Sequence, residues 1–142
     1  MNAKNFLRQL KKLDFMITNK MIEKERWLSR ATDISVKYGG DRVQTSGSQS
    51  RMADAVCRYV DIEKEIDADI DRLVDAKNEV IEVIEQLSAV EYDVLHKVYV
   101  QYMTFDEVAD IYDRSYSMIT TIHGRALKNV QRILEEKEDG EI

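Results

Sequence analysis

Residues 104–127 read TFDEVADIYDRSYSMITTIHGRAL, two helical runs separated by a short break. Thr104 and Glu107 have the spacing of a capping box, in which a Thr hydroxyl and a Glu carboxylate satisfy backbone donors at a helix start. Val108, Ala109, Ile111 and Tyr112 then give a short helix one apolar face, with Ala109 small where two helices must cross closely. Asp113-Arg114-Ser115 interrupts the pattern, and Ser115 is a good N-cap for a following helix. Beyond it, Ile119, Ile122, Ala126, Val130 and Ile133 recur three or four residues apart and predict one buried stripe. Tyr116, Ser117, Thr120, Thr121, Gly124 and Lys128 are left facing outward or flanking that stripe. Two helices joined by so tight a turn, the second with small polar residues near its start, have the form of a DNA-reading unit.

Before this stretch, Ser88 is placed to cap a helix over about Val90 to Tyr102, with Glu91 near its positive end and Val94, Leu95, Val98 and Tyr102 as its core face. Upstream, Met52, Val56, Tyr59, Ile66, Ile70, Leu73, Val80, Ile84 and Leu87 follow alternating spacings of four and three, a heptad seam on a long helix that Ser48 or Ser50 caps. A first helix over about Ala3 to Tyr38 carries Phe6, Leu10, Leu13, Ile17, Met21, Leu28, Ala31 and Ile34. Gly39-Gly40 ends it, since glycine readily takes the left-handed conformation at a helix C-terminus. Residues 39–50, GGDRVQTSGSQS, read as the linker. Neither long helix can bury its stripe alone. Residues 1–51 sum to a charge of +6 and residues 52–87 to −7, so an antiparallel hairpin pairs both the stripes and the charges. A second copy of the chain is the competing partner.

The run from Tyr92 to Gln131 resembles region 4 of the sigma-70 family of transcription factors. The residues that carry the resemblance are Val94-Leu95 with Tyr99, Glu107-Val108-Ala109, Ser115, Ile119, Ile122 and Arg125-Ala126-Leu127. The family usually has glycine at its two turns, where Tyr102 and Asp113 stand here. The layout of long helices followed by this module is similar to small regulators of Gram-positive phages and prophages, including the ArpU-like late-gene regulators. The resemblance implies a helix-turn-helix on double-stranded DNA. Tyr116, Ser117, Thr120 and Thr121 would face the bases, and Arg114, Arg125 and Lys128 the phosphates. Host RNA polymerase, which region 4 of sigma factors also docks on, is a second candidate partner, and a homo-oligomer a third.

Composition excludes much else. There is no proline, and 34% of residues are charged; with long periodic runs this favours helix nearly throughout. No apolar run approaches the roughly 20 residues that span a bilayer. The N-terminus lacks the apolar core of a signal peptide, and Cys57 is the only cysteine, which makes a cytoplasmic setting in a bacterial host the expectation. Asp67-Ala68-Asp69-Ile70-Asp71 looks like the start of a calcium loop, but the sixth and twelfth positions are Arg72 and Asn78 instead of Gly and Glu, so an acidic solvated helix face is expected. His96 reads as a surface or packing residue, and His123 flanks the second helix of the module. Cys57 reads as a packing residue, and Trp27 and Tyr38 as packing or partner-facing. No enzymatic constellation, cofactor or metal site is expected.

The sequence therefore predicts an all-α protein: a long antiparallel helical hairpin over 1–87, a helix-turn-helix over 88–136 and a frayed tail over 137–142. The expected function is DNA-binding transcription regulation. A small-terminase-like packaging subunit and a polymerase-docking protein without DNA contact are the alternatives.

Overall fold

A computed structural model describes residues 1–38 and 46–140, and every regular element in them is helical. Helices α1 (Ala3–Tyr38) and α2 (Ser46–Ile84) are followed by α3 (Ala89–Leu95), a π-helical turn (His96–Val100), α4 (Phe105–Tyr112) and α5 (Tyr116–Gly140). Asn2 caps α1, its side chain accepting from the backbone N–H of Lys4 at 2.8 Å and of Asn5 at 3.4 Å. Most of the expected linker, residues 39–45, lies outside the described residues, as do the side chains of Ile34 and Tyr38. Residues 46–50, expected in the linker, are already helical. The predicted tail is helical as far as Gly140.

The chain divides into two compact units, Leu13–Arg72 and a second made of Met1–Lys12 with Leu73–Ile142. In Leu13–Arg72, α1 and α2 run antiparallel: Lys20 meets Asp69 at 2.6 Å, Lys24 meets Glu63 at 3.2 Å and Arg58 meets Glu23 at 3.3 Å. The inward positions keep a strict four–three alternation. On α2 they are Ala55, Tyr59, Ile62, Ile66 and Asp69; on α1 they are Ile17, Lys20, Lys24, Trp27 and Ala31. The heptad expectation is right in period and displaced in membership. Met21 and Leu28 on α1, and Met52, Val56 and Ile70 on α2, were expected inside and are exposed. The seam instead takes Asp69 and Lys20, because an ion pair with its bond made can occupy a core place that a lone charge cannot. The face Asp67–Asp71 is therefore not uniformly solvated, since Asp69 is buried. Cys57, expected to pack, is exposed. Trp27 is half-buried, with the Arg30 guanidinium 5.0 Å over its ring.

In the other unit, Ala3, Phe6, Leu7 and Leu10 of α1 and Ala76, Val80, Val83 and Ile84 of α2 join the buried residues of α3 to α5 in the core. The chain start is tied to α5. The amino group of Met1 pairs with Glu138 at 2.9 Å, and the Ala3 N–H donates to Gln131 Oε1 at 2.8 Å.

Candidate nucleic-acid interface

Local chemistry sets the turn between α4 and α5. Thr104 caps α4 by accepting from the Glu107 N–H at 3.2 Å. The reciprocal arm of the expected box is altered: the Glu107 carboxylate accepts from the Thr104 hydroxyl at 3.1 Å instead of from its backbone N–H. At the far end Asp113 lies in the left-handed region, φ 52° and ψ 48°. Its N–H donates to the Asp110 carbonyl at 3.2 Å, and the Arg114 N–H donates to the Ala109 carbonyl at 3.0 Å. This is the Schellman arrangement, which satisfies carbonyls that a helix end would leave bare. Ser115 then caps α5, its hydroxyl accepting from the Met118 N–H at 3.1 Å. Val94, Val108, Ala109 and Ile119 close the core beneath the turn.

The second left-handed residue is Tyr102, φ 59°. It follows the π-helical turn, where the Gln101 N–H reaches the His96 carbonyl at 3.0 Å and the Met103 N–H reaches that of Lys97 at 2.9 Å. The structure thus puts Tyr102 and Asp113, the two non-glycine residues with positive φ among those described, in the conformation that favours glycine.

Three polar ties hold the module together. The buried Glu91 carboxylate on α3 accepts from Asn129 on α5 at 3.0 and 3.2 Å. Asp93 on α3 accepts from the Tyr112 hydroxyl on α4 and from Lys97 at 2.8 Å. Burial would raise the Asp93 carboxyl, but its bonds from Lys97 and Tyr112 prevail and hold it below the usual range. Burial, together with that carboxylate, pushes the Tyr112 phenol up to about 12. The third tie joins the π-helical turn to α5: the Tyr99 hydroxyl lies 2.7 Å from His123 Nε2, with the Phe105 ring 4.8 Å from the imidazole. Burial and the nearby charges of Lys4 and Arg8 lower the His123 pKa, so the neutral imidazole is favoured. Expected to flank α5, His123 is instead a core residue, positioned by a phenol that sequence spacing does not connect to it. His96 is half-buried against Gln101 and Tyr92.

The face of α5 opposite the core carries the sequence candidates. Ile119, His123, Ala126, Val130 and Leu134 are buried; the expected Ile122 and Ile133 are partly buried on the flank. Ser117, Thr121, Arg125 and Lys128 are exposed and fall along one line of the helix, which Arg132 extends. Arg114 is exposed in the turn. Tyr116 is exposed with its ring edge-on to Phe105 at 5.9 Å. Thr120 is half-buried and set off to one side. Both threonine hydroxyls donate to the Ser117 carbonyl, at 2.8 and 2.9 Å, which leaves their oxygen lone pairs as the outward feature. Sequence reasoning missed Met118, a half-exposed apolar side chain in the first turn of α5. Ile111, expected on the apolar face of α4, is instead exposed. Asp106, Glu107 and Asp110 are exposed on α4, so within the α4–turn–α5 pair the positive side chains lie on α5 and the turn. Among the described residues no cluster of three or more metal-ligating side chains occurs, and no helix is long and apolar enough to cross a membrane.

Residues 83–132 match the family model of sigma-70, region 4. The match covers roughly a third of the chain and spans the end of α2, α3, the π-helical turn, α4 and most of α5. No curated protein and no solved structure gives a match. This segment is similar to a sigma region 4 helix-turn-helix.

Proposed function

We propose that the protein is a transcription regulator of a phage or prophage, acting in the cytoplasm of the bacterial host and binding double-stranded DNA through α5. The observation that carries this reading is the outward line of Ser117, Thr121, Arg125 and Lys128 on a helix whose start is fixed by a Schellman turn and a serine cap. The N-terminal end of α5 enters the major groove. Ser117 and Thr121, with Tyr116 and Thr120 beside them, meet base edges. Their hydroxyls suit several bases, and the threonine methyls suit thymine. Arg114, Arg125 and Lys128 meet phosphates and set the register. The acidic face of α4 keeps non-specific attraction weak, which makes base contacts a larger share of the total. Selection and sequencing of fragments bound from host and phage DNA tests this; a defined motif supports it, and no enrichment at low salt contradicts it.

A second reading rests on Ile111 and Met118. Two exposed apolar side chains flank the turn, as a protein-docking surface on RNA polymerase would require. Capture of polymerase by a chain that enriches no DNA would favour it.

A further inference from the structure

The chain carries a net charge of −6, yet one cavity has a rim of cations. Its volume is about 520 Å³, within the range of small-molecule sites. Lys4, Arg8 and Lys11 line one side, and Tyr102, Phe105 and His123 are among the residues on the other. The three cations stand at i, i+4 and i+7, so they share one face of α1. Lys11 lies 6.0 Å from the centre of the Tyr102 ring. Lys4 and Arg8 form no ion pair with any described residue. Both press their charge on His123, and Arg8 also on Tyr99. Two unmatched cations thus converge on a hollow whose wall is aromatic and whose buried imidazole is already disfavoured as a cation. An anion there relieves the mutual repulsion, and its organic body replaces water against the rings.

The cationic track is short. Seven residues at 1.5 Å rise span about 10 Å, which suits one charged group better than a polymer. From this geometry we infer that the cavity binds a small organic anion, with its carboxylate, sulfonate or phosphate on Lys4 and Arg8 and its ring or alkyl body against Tyr102 and Phe105. Binding at this pocket does not require DNA, so failure of the DNA reading would leave it standing.

The test uses the full chain and a fluorescent probe of this chemistry, anilinonaphthalene sulfonate, beside its uncharged parent, phenylnaphthylamine. The expected result is saturable binding of one sulfonate per chain, with the uncharged parent at least about tenfold weaker. Lys4→Gln with Arg8→Gln should weaken the sulfonate about tenfold or more, and the His123 ring resonances should shift on binding in the parent protein. Both substitutions are on exposed side chains, and circular dichroism checks the fold. Equal affinity in the double variant, or binding without a His123 shift, would place the probe on the exposed apolar side chains of the long helices and overturn the inference. Absence of binding would overturn it as well.

Discussion

Lys20→Met should destabilise the protein more than Asp69→Ala, although both break the same bond. The Asp69 side chain is 2% exposed and that of Lys20 27%, with 2.6 Å between their charged atoms. Without Asp69, the Lys20 ammonium can turn toward water along its flexible stem. The loss is then one charge-assisted hydrogen bond plus a small cavity, about 2 kcal/mol. Without Lys20, the carboxylate stays enclosed with only Arg72 at 3.4 Å, and Arg72 itself is mostly solvated. Breaking a buried pair from that side costs about 3–5 kcal/mol; the remaining arginine places the expectation near the lower end, about 3 kcal/mol. At roughly 2–4 °C per kcal/mol for a chain of this size, Tm should fall by about 4–8 °C in Asp69→Ala and about 6–12 °C in Lys20→Met. The double variant Asp69→Leu with Lys20→Met replaces the pair by apolar groups and should recover most of the loss. Thermal and urea unfolding followed by circular dichroism measures all three. Equal single-variant effects, or a double variant as unstable as the sum of the singles, would refute the claim that enclosure of the carboxylate sets the cost.

Two further outcomes follow from local geometry. Asp113→Gly should stabilise the chain by about 0.5–1 kcal/mol, because glycine takes the left-handed conformation at φ 52° without a Cβ clash, whereas Asp113→Val should destabilise it; equal melting of all three forms would remove the backbone argument. Lowering pH from 7.5 to 5.5 should cost stability. His123 has a depressed folded pKa, so below the ordinary value near 6.5 the unfolded chain binds a proton that the folded chain refuses, and the stability present above that value is lost as pH falls through it. His96 is depressed too, mainly by burial. A variant with both His96→Gln and His123→Gln should therefore show a flatter dependence of Tm on pH over this window, and an unchanged slope would contradict the assignment.

The sequence was most informative where one residue's chemistry acts alone. The caps at Ser88, Thr104 and Ser115 and the small Ala109 at the helix crossing could be read from single residues and their spacing, and all are present. The period of the long helices was legible too. Membership of the seam was not, because a rule that sorts apolar from charged residues takes Ile70 over Asp69 and Met21 over Lys20. The Lys20–Asp69 bond makes the charged choice favourable, and it joins residues 49 apart. The same holds at His123, whose core place depends on a Tyr99 hydroxyl 24 residues away. The π-helical turn was invisible for a related reason: it is defined by which carbonyl each N–H reaches, and several pairings suit the same side chains. On α5, the outward placement of Ser117, Thr121, Arg125 and Lys128 followed from helical period. That Thr120 turns partly inward followed only from the packed structure.

Contact between the outward face of α5 and DNA is tested by a salt titration of binding to the selected fragment. Each of Arg125→Ala and Lys128→Ala should weaken binding to every sequence and reduce the slope of log affinity against log salt by about 0.9, because one fewer phosphate is neutralised. Thr121→Ala should leave that slope unchanged and relax sequence preference by about 1 kcal/mol, the low end for one base interaction. All three side chains are exposed, so melting should match that of the parent. If the folded variants retain the parent's affinity, slope and selectivity, α5 does not read DNA.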